Sequence, residues 1–457
     1  MVVTPKKPIA SLRLLDKLFV GLLLTVFGGI VLHAPLSVGL ETLFPSAELL
    51  IKSWKEILLL LATLVMGVLL YQKKHWVLLK SPIVLLIAAY AALHILLIPL
   101  SYQGATSALA GLLIDLRYAL FFVLVYVAVC LYPSLRRPFI FTFFIGAFIV
   151  AAFALLQVFV LPVDALKYIG YSDTTIVPYL TVDENPDYIR ISSTLRGPNP
   201  LGAYAGIVLA LVFAFWLKGS KSKVRRPLLP ISVVVIGSFV ALWASYSRSA
   251  LVAAFVAIGL VALATVARQL PRKAWIALIV IIMALGGGLI ASRDSDFVSN
   301  VLLHENATTG AETSSNDGHV DSLNDGVNRM VHQPFGGGVG STGSASLYGP
   351  DPLIIENQYL FIAHEVGWIG LVLFLIIFVK ILQQLWKRRA DWLALGVFAS
   401  GIGMALIGLL LPVWVDDTVA IIWWGLAAVA VAAPLKITGT TKGAHVRTIH
   451  KTSKRTA

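Results

Sequence analysis

Four ionisable side chains stand at the edges of long apolar runs in this chain: Arg117 in LIDLRYALFF, Arg196 in SSTLRGPNPLGAY, Arg248 in SYSRSALVA and Glu356 in IIENQYL. Charge at membrane depth costs roughly 2.5–3.5 kcal/mol on insertion scales and normally faces a cavity or a partner. Three guanidiniums with few lysines nearby suit an anion that takes planar, two-pronged hydrogen bonds, phosphate or pyrophosphate above all. Around Arg196, the breakers of RGPNPLG would turn backbone N–H groups and a helix N-terminus toward the same anion. Each residue also has a plainer reading. Arg196 and Arg248 would equally snorkel to headgroups. Arg117 follows Asp115 by two residues, a spacing that does not share a helical face, so an ion pair with another helix is its alternative. Glu356 would also be a first-turn carboxylate favoured by the helix dipole.

A second stretch, GHVDSLNDGVNRMVHQPFGGGVGSTG, carries Gly336 to Gly338, Gly340 and Gly343, which would let backbone approach a ligand closely. It lacks the lysine and the strand-to-helix setting of a P-loop. His319, Arg329 and His332 lie near one another in sequence, but without cysteine or metal-type spacing they make a poor metal set, so no metal is expected. Asn306 heads an Asn-Ala-Thr acceptor pattern that carries no weight. His33 and His94 read as packed or hydrogen-bonded structural residues. Cys130 is the single cysteine, so no intramolecular disulfide is available, and it reads as a small buried apolar residue.

The elements that must position these groups are membrane helices. Of the 457 residues 58% are hydrophobic and 13% charged, the composition of a polytopic membrane protein rather than a soluble one. The net charge of +13 lies in short basic clusters between apolar runs, which argues for cytoplasmic loops and against nucleic acid as a partner. Twelve runs are long enough to span, near 18–39, 54–71, 82–100, 108–132, 138–161, 197–217, 229–247, 249–268, 274–292, 358–385, 391–413 and 418–435. Threaded in that order, every basic connection falls on one side: the N-terminus to Lys17, Lys73 to Lys80, Arg136 and Arg137, Lys218 to Arg226, Arg268 to Lys273, Lys380 to Arg389, and the tail from Lys436. The positive-inside rule then makes both termini cytoplasmic. The first run has no small-residue cleavage site after it and reads as a retained helix. Residues 1–435 form the membrane domain, and 436–457 a short basic tail suited to anionic lipid headgroups. The opposite side holds loops near 162–196 and 293–357. The longer has nine Asp or Glu against two Arg and no Lys, a possibly helical stretch from His319 to His332, and the makings of a partly ordered lid. The seventh and eighth helices are joined by SYSRS alone, so that hairpin must turn at the membrane surface.

Together the stretches STLRGPNPLGAY, SYSRSALVA, HQPFGGGVGS and ENQYLFIAHEVGWIGLVLF, in that order and with the long loop between the second and the last, resemble the O-antigen ligase and Wzy-type polysaccharide polymerase superfamily of membrane glycosyltransferases. The resemblance covers most of the chain and is strongest from about Ser192 to Phe374. It implies an all-α integral membrane enzyme of the GT-C-like type in the cytoplasmic (inner) membrane, with its active site facing outward. It also implies transfer of a glycan from an undecaprenyl-pyrophosphate carrier to an acceptor hydroxyl, with no cofactor and no metal. Arg196 and Arg248 match the family arginines that hold the pyrophosphate, and Arg117 an arginine on an earlier helix near the same site. Lipopolysaccharide ligases carry His-Asn where this chain has Glu356-Asn357. A glutamate can accept the same proton if its site raises its proton affinity, so Glu356 is the candidate base, Asn357 a hydrogen-bonding positioner and His319 a second candidate base. The departure weakens the ligase reading and favours polymerase-type relatives.

The acceptor is then a glycan, a lipid or a cell-wall polymer, with membrane lipids as neighbours. The rival from another class is a transporter, a lipid-linked glycan flippase or a secondary carrier, which would tend to show internal repeats and midplane ionisable residues. No repeat between the halves is visible, and the arginines fall near one leaflet. A signalling scaffold would need a folded cytoplasmic domain, for which the tail leaves little room.

Overall fold

The computed structural model describes residues 13–182, 185–218, 228–266 and 315–432. The ninth apolar run at 274–292, the lid residues 293–314 with Asn306, the basic cluster 219–226 and the tail 436–457 lie outside the described residues.

The chain is mostly helical. It begins with α1 (Leu14–Gly29), which runs through a short 3-10 turn into α2 (His33–Leu43), then the short α3 (Glu48–Lys52), α4 (Trp54–Lys73), α5 (Pro82–Leu97), α6 (Ala105–Leu131) and α7 (Arg136–Phe159). After a loop come α8 (Pro198–Lys218), α9 (Leu228–Ala244) and α10 (Arg248–Val266). The last part holds α11 (Ser315–His332), the single-turn α12 (Gly343–Ser346), α13 (Gln358–Lys387), α14 (Trp392–Ile407) and α15 (Asp417–Val431). Among the described residues, seven helical segments are long and apolar enough to cross a membrane: Leu14–Leu43, Trp54–Lys73, Ala105–Leu131, Pro133–Phe159, Pro198–Lys218, Arg248–Val266 and Gln358–Lys387. Pro82–Leu97, Leu229–Ala244, Trp392–Ile407 and Asp417–Val431 are apolar but shorter. Each of these eleven coincides with a run expected to span. The clearest difference is α14, which stops at Ile407 rather than near 413. There the chain turns, and the carbonyls of Gly408 and Leu409 accept from Gln358 N–H and the Asn357 amide instead of continuing the helix.

Among the described residues, three of the basic segments meet residues of neighbouring helix ends. Lys73 closing α4 reaches Asp16 at 3.2 Å, Arg136 opening α7 meets Asp391 before α14 at 2.5 Å, and Lys218 closing α8 donates to the Arg389 carbonyl at 2.6 Å. The 162–196 loop carries an element the sequence does not announce, an antiparallel pair of β1 (Leu180–Val182) and β2 (Asn185–Arg190) with Leu180 opposite Arg190.

Packing follows residue size. α8, α10 and α14 close through small residues: an added Cβ at Gly202 would stand 2.8 Å from Ala250, at Gly206 3.4 Å from Ala254, and at Gly403 2.9 Å from the Ala253 carbonyl. Close backbone approach of this kind is how helices gain contact where lipid is as apolar as the protein. Elsewhere aromatic rings fill the interior. Trp423 and Trp424 of α15 are fully buried, Trp424 lies 4.9 Å from Tyr118 of α6, and Trp423 5.4 Å from Phe378 of α13, with its indole N–H on the Val397 carbonyl.

Candidate active site

The segment from Arg190 to Asn199 folds as it does because its neighbours hold its backbone. Ser193, with φ of 50°, places its N–H on the Gln157 side chain at 2.7 Å and its hydroxyl on the Val150 carbonyl at 2.8 Å, both from α7. Ile191 N–H donates to the last carbonyl of α9, Ala244, at 3.1 Å. Arg190 completes the tie, with Nε on the Ser245 carbonyl at 2.9 Å and Nη2 on Asn199 Oδ1 at 2.7 Å. One guanidinium thus joins the RGPNP stretch to the SYSRS turn. That turn is as tight as expected: Tyr246 takes φ of 47°, and Ser245 Oγ both caps back to Leu242 and accepts from Ser247 N–H. Arg196 is exposed just before α8, and Arg248 is half-buried as the first residue of α10. Since α8 and α10 touch at Gly202 and Ala250, both arginines stand at neighbouring helix N-termini, where the dipoles also favour negative charge.

Arg117 sits differently. It is buried and donates to the Asp417 carboxylate and the Val415 carbonyl, with Glu56 at 3.5 Å. Lys55 lies 2.8 Å from Asp417 and 3.3 Å from Glu56. His33 Nδ1 accepts from Trp54 Nε1 at 3.0 Å, and Nε2 lies between Lys55 Nζ at 3.2 Å and Asp417 at 3.3 Å. Two cations and two carboxylates therefore pair within one largely buried network beside Asp416, the ion-pair alternative for Arg117. Arg196 is near enough to act electrostatically on His33 and Asp416, so the network borders the arginine-bearing rim.

Glu356 is half-buried immediately before α13, and its N–H donates to Ser322 of α11 at 3.2 Å. Asn357 caps α13: Oδ1 accepts from Tyr359 N–H at 2.9 Å and Leu360 N–H at 3.0 Å, while Nδ2 donates to the Leu409 carbonyl at 2.7 Å. Its amide is chiefly spent on the fold. The expected helix from His319 to His332 forms as α11, starting four residues earlier. His319 lies in its first turns, and its side chain is outside the described residues. Arg329 pairs with Asp325 at 2.7 Å and His332 with the Asn328 carbonyl at 2.8 Å, both within α11.

The glycine run approaches protein where the sequence pointed to a ligand. It threads between the start of α6 and a break in α13 at Val366 and Gly367. Gly367, at φ of 68°, has no room for a Cβ against the Pro334 carbonyl, and Gly340, at 85°, has none against the Ser107 carbonyl. Gln103 donates to the Gly337 carbonyl at 2.8 Å and Ser107 to that of Gly340 at 2.6 Å. Opposite them Glu365, 1% exposed, accepts from the N–H groups of Gly340 and Thr342. His94, as read, is structural, with Nδ1 on the Tyr90 carbonyl at 2.9 Å and Asp115 at 3.8 Å.

Residues 233–375 match the O-antigen ligase family model. The match runs from within α9 to beyond the α13 break and takes in Arg248, His319, Glu356, Asn357 and Glu365, while Arg117, Arg190 and Arg196 precede it. With its apolar helices it supports a multi-pass membrane protein of O-antigen ligase or polymerase type. No curated protein matches the chain.

Arg190, the Lys55–Glu56 and Asp416–Asp417 pairs, and Glu365 went unremarked in the sequence. Three had a signal there: WKE and VDD each open an apolar run at the end that carries Arg117, and Glu365 is a carboxylate inside a spanning run.

Proposed function

We propose that the chain transfers a glycan from a polyprenyl-pyrophosphate carrier, undecaprenyl pyrophosphate in the family it resembles, to an acceptor hydroxyl at the outer face of the cytoplasmic membrane. The observation that carries this reading is the tie made by Arg190, which sets the Arg196 segment against the Arg248 turn at the edge of the matched region. Two guanidiniums at adjoining helix N-termini suit a pyrophosphate. Glu356 takes the proton of the acceptor hydroxyl as its oxygen bonds to the anomeric carbon. The bond from that carbon to the phosphate oxygen breaks, and the pyrophosphate leaves with the electron pair. Its growing charge is where Arg196 and Arg248 act, so they stabilise the transition state more than the bound donor. A single displacement inverts the anomeric centre. Glu356 in place of a histidine favours chain extension over ligation to a different acceptor such as a lipid, a cell-wall polymer or a protein.

The test uses full-length protein in nanodiscs, an undecaprenyl-pyrophosphate-linked oligosaccharide, candidate acceptors, and Arg248→Ala and Glu356→Gln variants. Glycan transfer with release of the carrier, lost in both folded variants, is the expected result, and product length separates polymerase from ligase. Movement of lipid-linked glycan across the membrane of reconstituted proteoliposomes, without transfer, would replace this reading with a transporter.

A further inference from the structure

Glu365 is a carboxylate on a spanning helix, a position costly enough that it normally marks a task. One oxygen accepts from Gly340 N–H at 2.5 Å and the other from Thr342 N–H at 2.9 Å. We propose that Glu365 is a positioning residue for Glu356, acting through the glycine loop and Thr342. This rests on the reading of Glu356 as the base.

The connection is a continuous set of hydrogen bonds. Thr342, once fixed by Glu365, gives its hydroxyl to the Leu353 carbonyl at 3.1 Å and accepts from Ile355 N–H at 3.2 Å. Gly343 N–H donates to the same Leu353 carbonyl at 2.8 Å, and Ser346 Oγ accepts from Leu353 N–H at 3.0 Å. Leu353 to Ile355 is thereby held as a short extended segment against the loop. Glu356 follows directly, with its own N–H on Ser322 and with Asn357 locked as the cap of α13. Its backbone is pinned on both sides, by Thr342 before it and by the cap after it. Ser107 and Gln103 hold the far side of the loop, so Glu365 closes a clamp whose other jaw is the start of α6.

The residue type follows from the donors. Two backbone N–H groups converge on one side chain, and a carboxyl group offers an acceptor oxygen to each. A glutamine in the same place would turn its own N–H toward one of them and leave a buried donor unpaired. Asp115 of α6 acts electrostatically on Glu365 and lies 3.8 Å from His94 of α5.

The experiment compares Glu365→Gln, Thr342→Val and Thr342→Ser in the full chain in nanodiscs. It reads amide hydrogen exchange over residues 336–356 and the kcat and KM for a lipid-linked donor. Glu365→Gln and Thr342→Val are expected to speed exchange from Gly340 to Glu356 and to lower kcat by about tenfold to a hundredfold, the loss typical of a misplaced catalytic group. KM for the donor should stay within about twofold, because donor binding belongs to the arginines. Thr342→Ser keeps the hydroxyl and should restore both readouts; it also serves if Glu365→Gln does not fold. Unchanged exchange in Glu365→Gln, or faster exchange with kcat intact and KM raised, overturns the proposal. A fully active Glu356→Gln overturns the base reading and this proposal with it, and the exchange data show that the clamp itself was not at fault.

Discussion

Removing the Asp417 carboxylate should cost stability in a way that removing a cation repairs. Asp417→Asn leaves Lys55 and Arg117 facing Glu56, with Asp416 the next carboxylate, so the network loses one negative charge and gains an excess of positive charge. Lys55 and Arg117 are 5% and 6% exposed and Asp417 17%, so little water is present to screen the imbalance. Breaking a buried pair by taking one partner costs about 3–5 kcal/mol, and the partial exposure of Asp417 places this case near about 3 kcal/mol. Lys55→Met alone gives the opposite imbalance at a similar cost. In the double variant Arg117 and Glu56 remain as a balanced pair, so the two losses should fall short of additivity by about 2 kcal/mol, within the range of side chains in direct contact. The assay is reversible unfolding of each variant in bilayer-mimicking discs at matched salt, with glycan transfer recorded alongside. Strict additivity would refute the network as a coupled unit. Donor KM is expected to change little in any of the three. A rise in KM confined to variants that unbalance Arg117 would instead return that arginine to the donor site.

Two further outcomes follow from single contacts. Arg190→Lys keeps a charge but cannot hold Ser245 and Asn199 with a planar fork; transfer should fall about tenfold or more while Lys73 to Asp16 and the far end of the array are untouched, as read by kcat/KM against a thermal melt. Gly367→Ala puts a Cβ at positive φ against the Pro334 carbonyl and should destabilise by more than about 1 kcal/mol, with hydrogen exchange rising first around Pro334 to Gly340.

The spanning helices were legible because a run of apolar residues in lipid has one way to satisfy its backbone, as a helix. Of the basic connections, those at Lys73, Arg136 and Lys218 lie within the described residues and reach Asp16, Asp391 and the Arg389 carbonyl. The β1–β2 pair was not, since YLTVDENPDYIR has strands of three and six residues and no strong hairpin turn. The break in α13 was equally hidden, because a Val-Gly within an apolar run is tolerated by a continuous helix until something inserts beside it. Here the inserted element is Pro334 to Gly340, more than twenty residues away. At the site, the arginines and Glu356 were found by type and depth. What they touch was not, and the glycine run shows why: glycine reports that something comes close, and a protein carbonyl demands it as firmly as a ligand does.

Burial and charge balance separate the ionisable residues of this membrane domain better than depth does. Lys55 and Arg117 are buried and lie within a few ångströms of the half-buried Glu56 and Asp417, and Glu365 is buried with both oxygens engaged by backbone N–H groups. Groups so paired spend most of their charge on one another, and their energetic effect is to fix which helices meet and in what register. Arg196 differs on both counts, being exposed and preceding a helix whose N-terminus adds to its charge. The two kinds of site adjoin where Arg196 borders the His33 and Asp416 surroundings. A pyrophosphate binding there would meet a rim already held rigid by neutralised charges. In that arrangement the cost of orienting the arginines is met when the chain folds, before the donor arrives, which is the condition under which charge stabilisation serves the transition state.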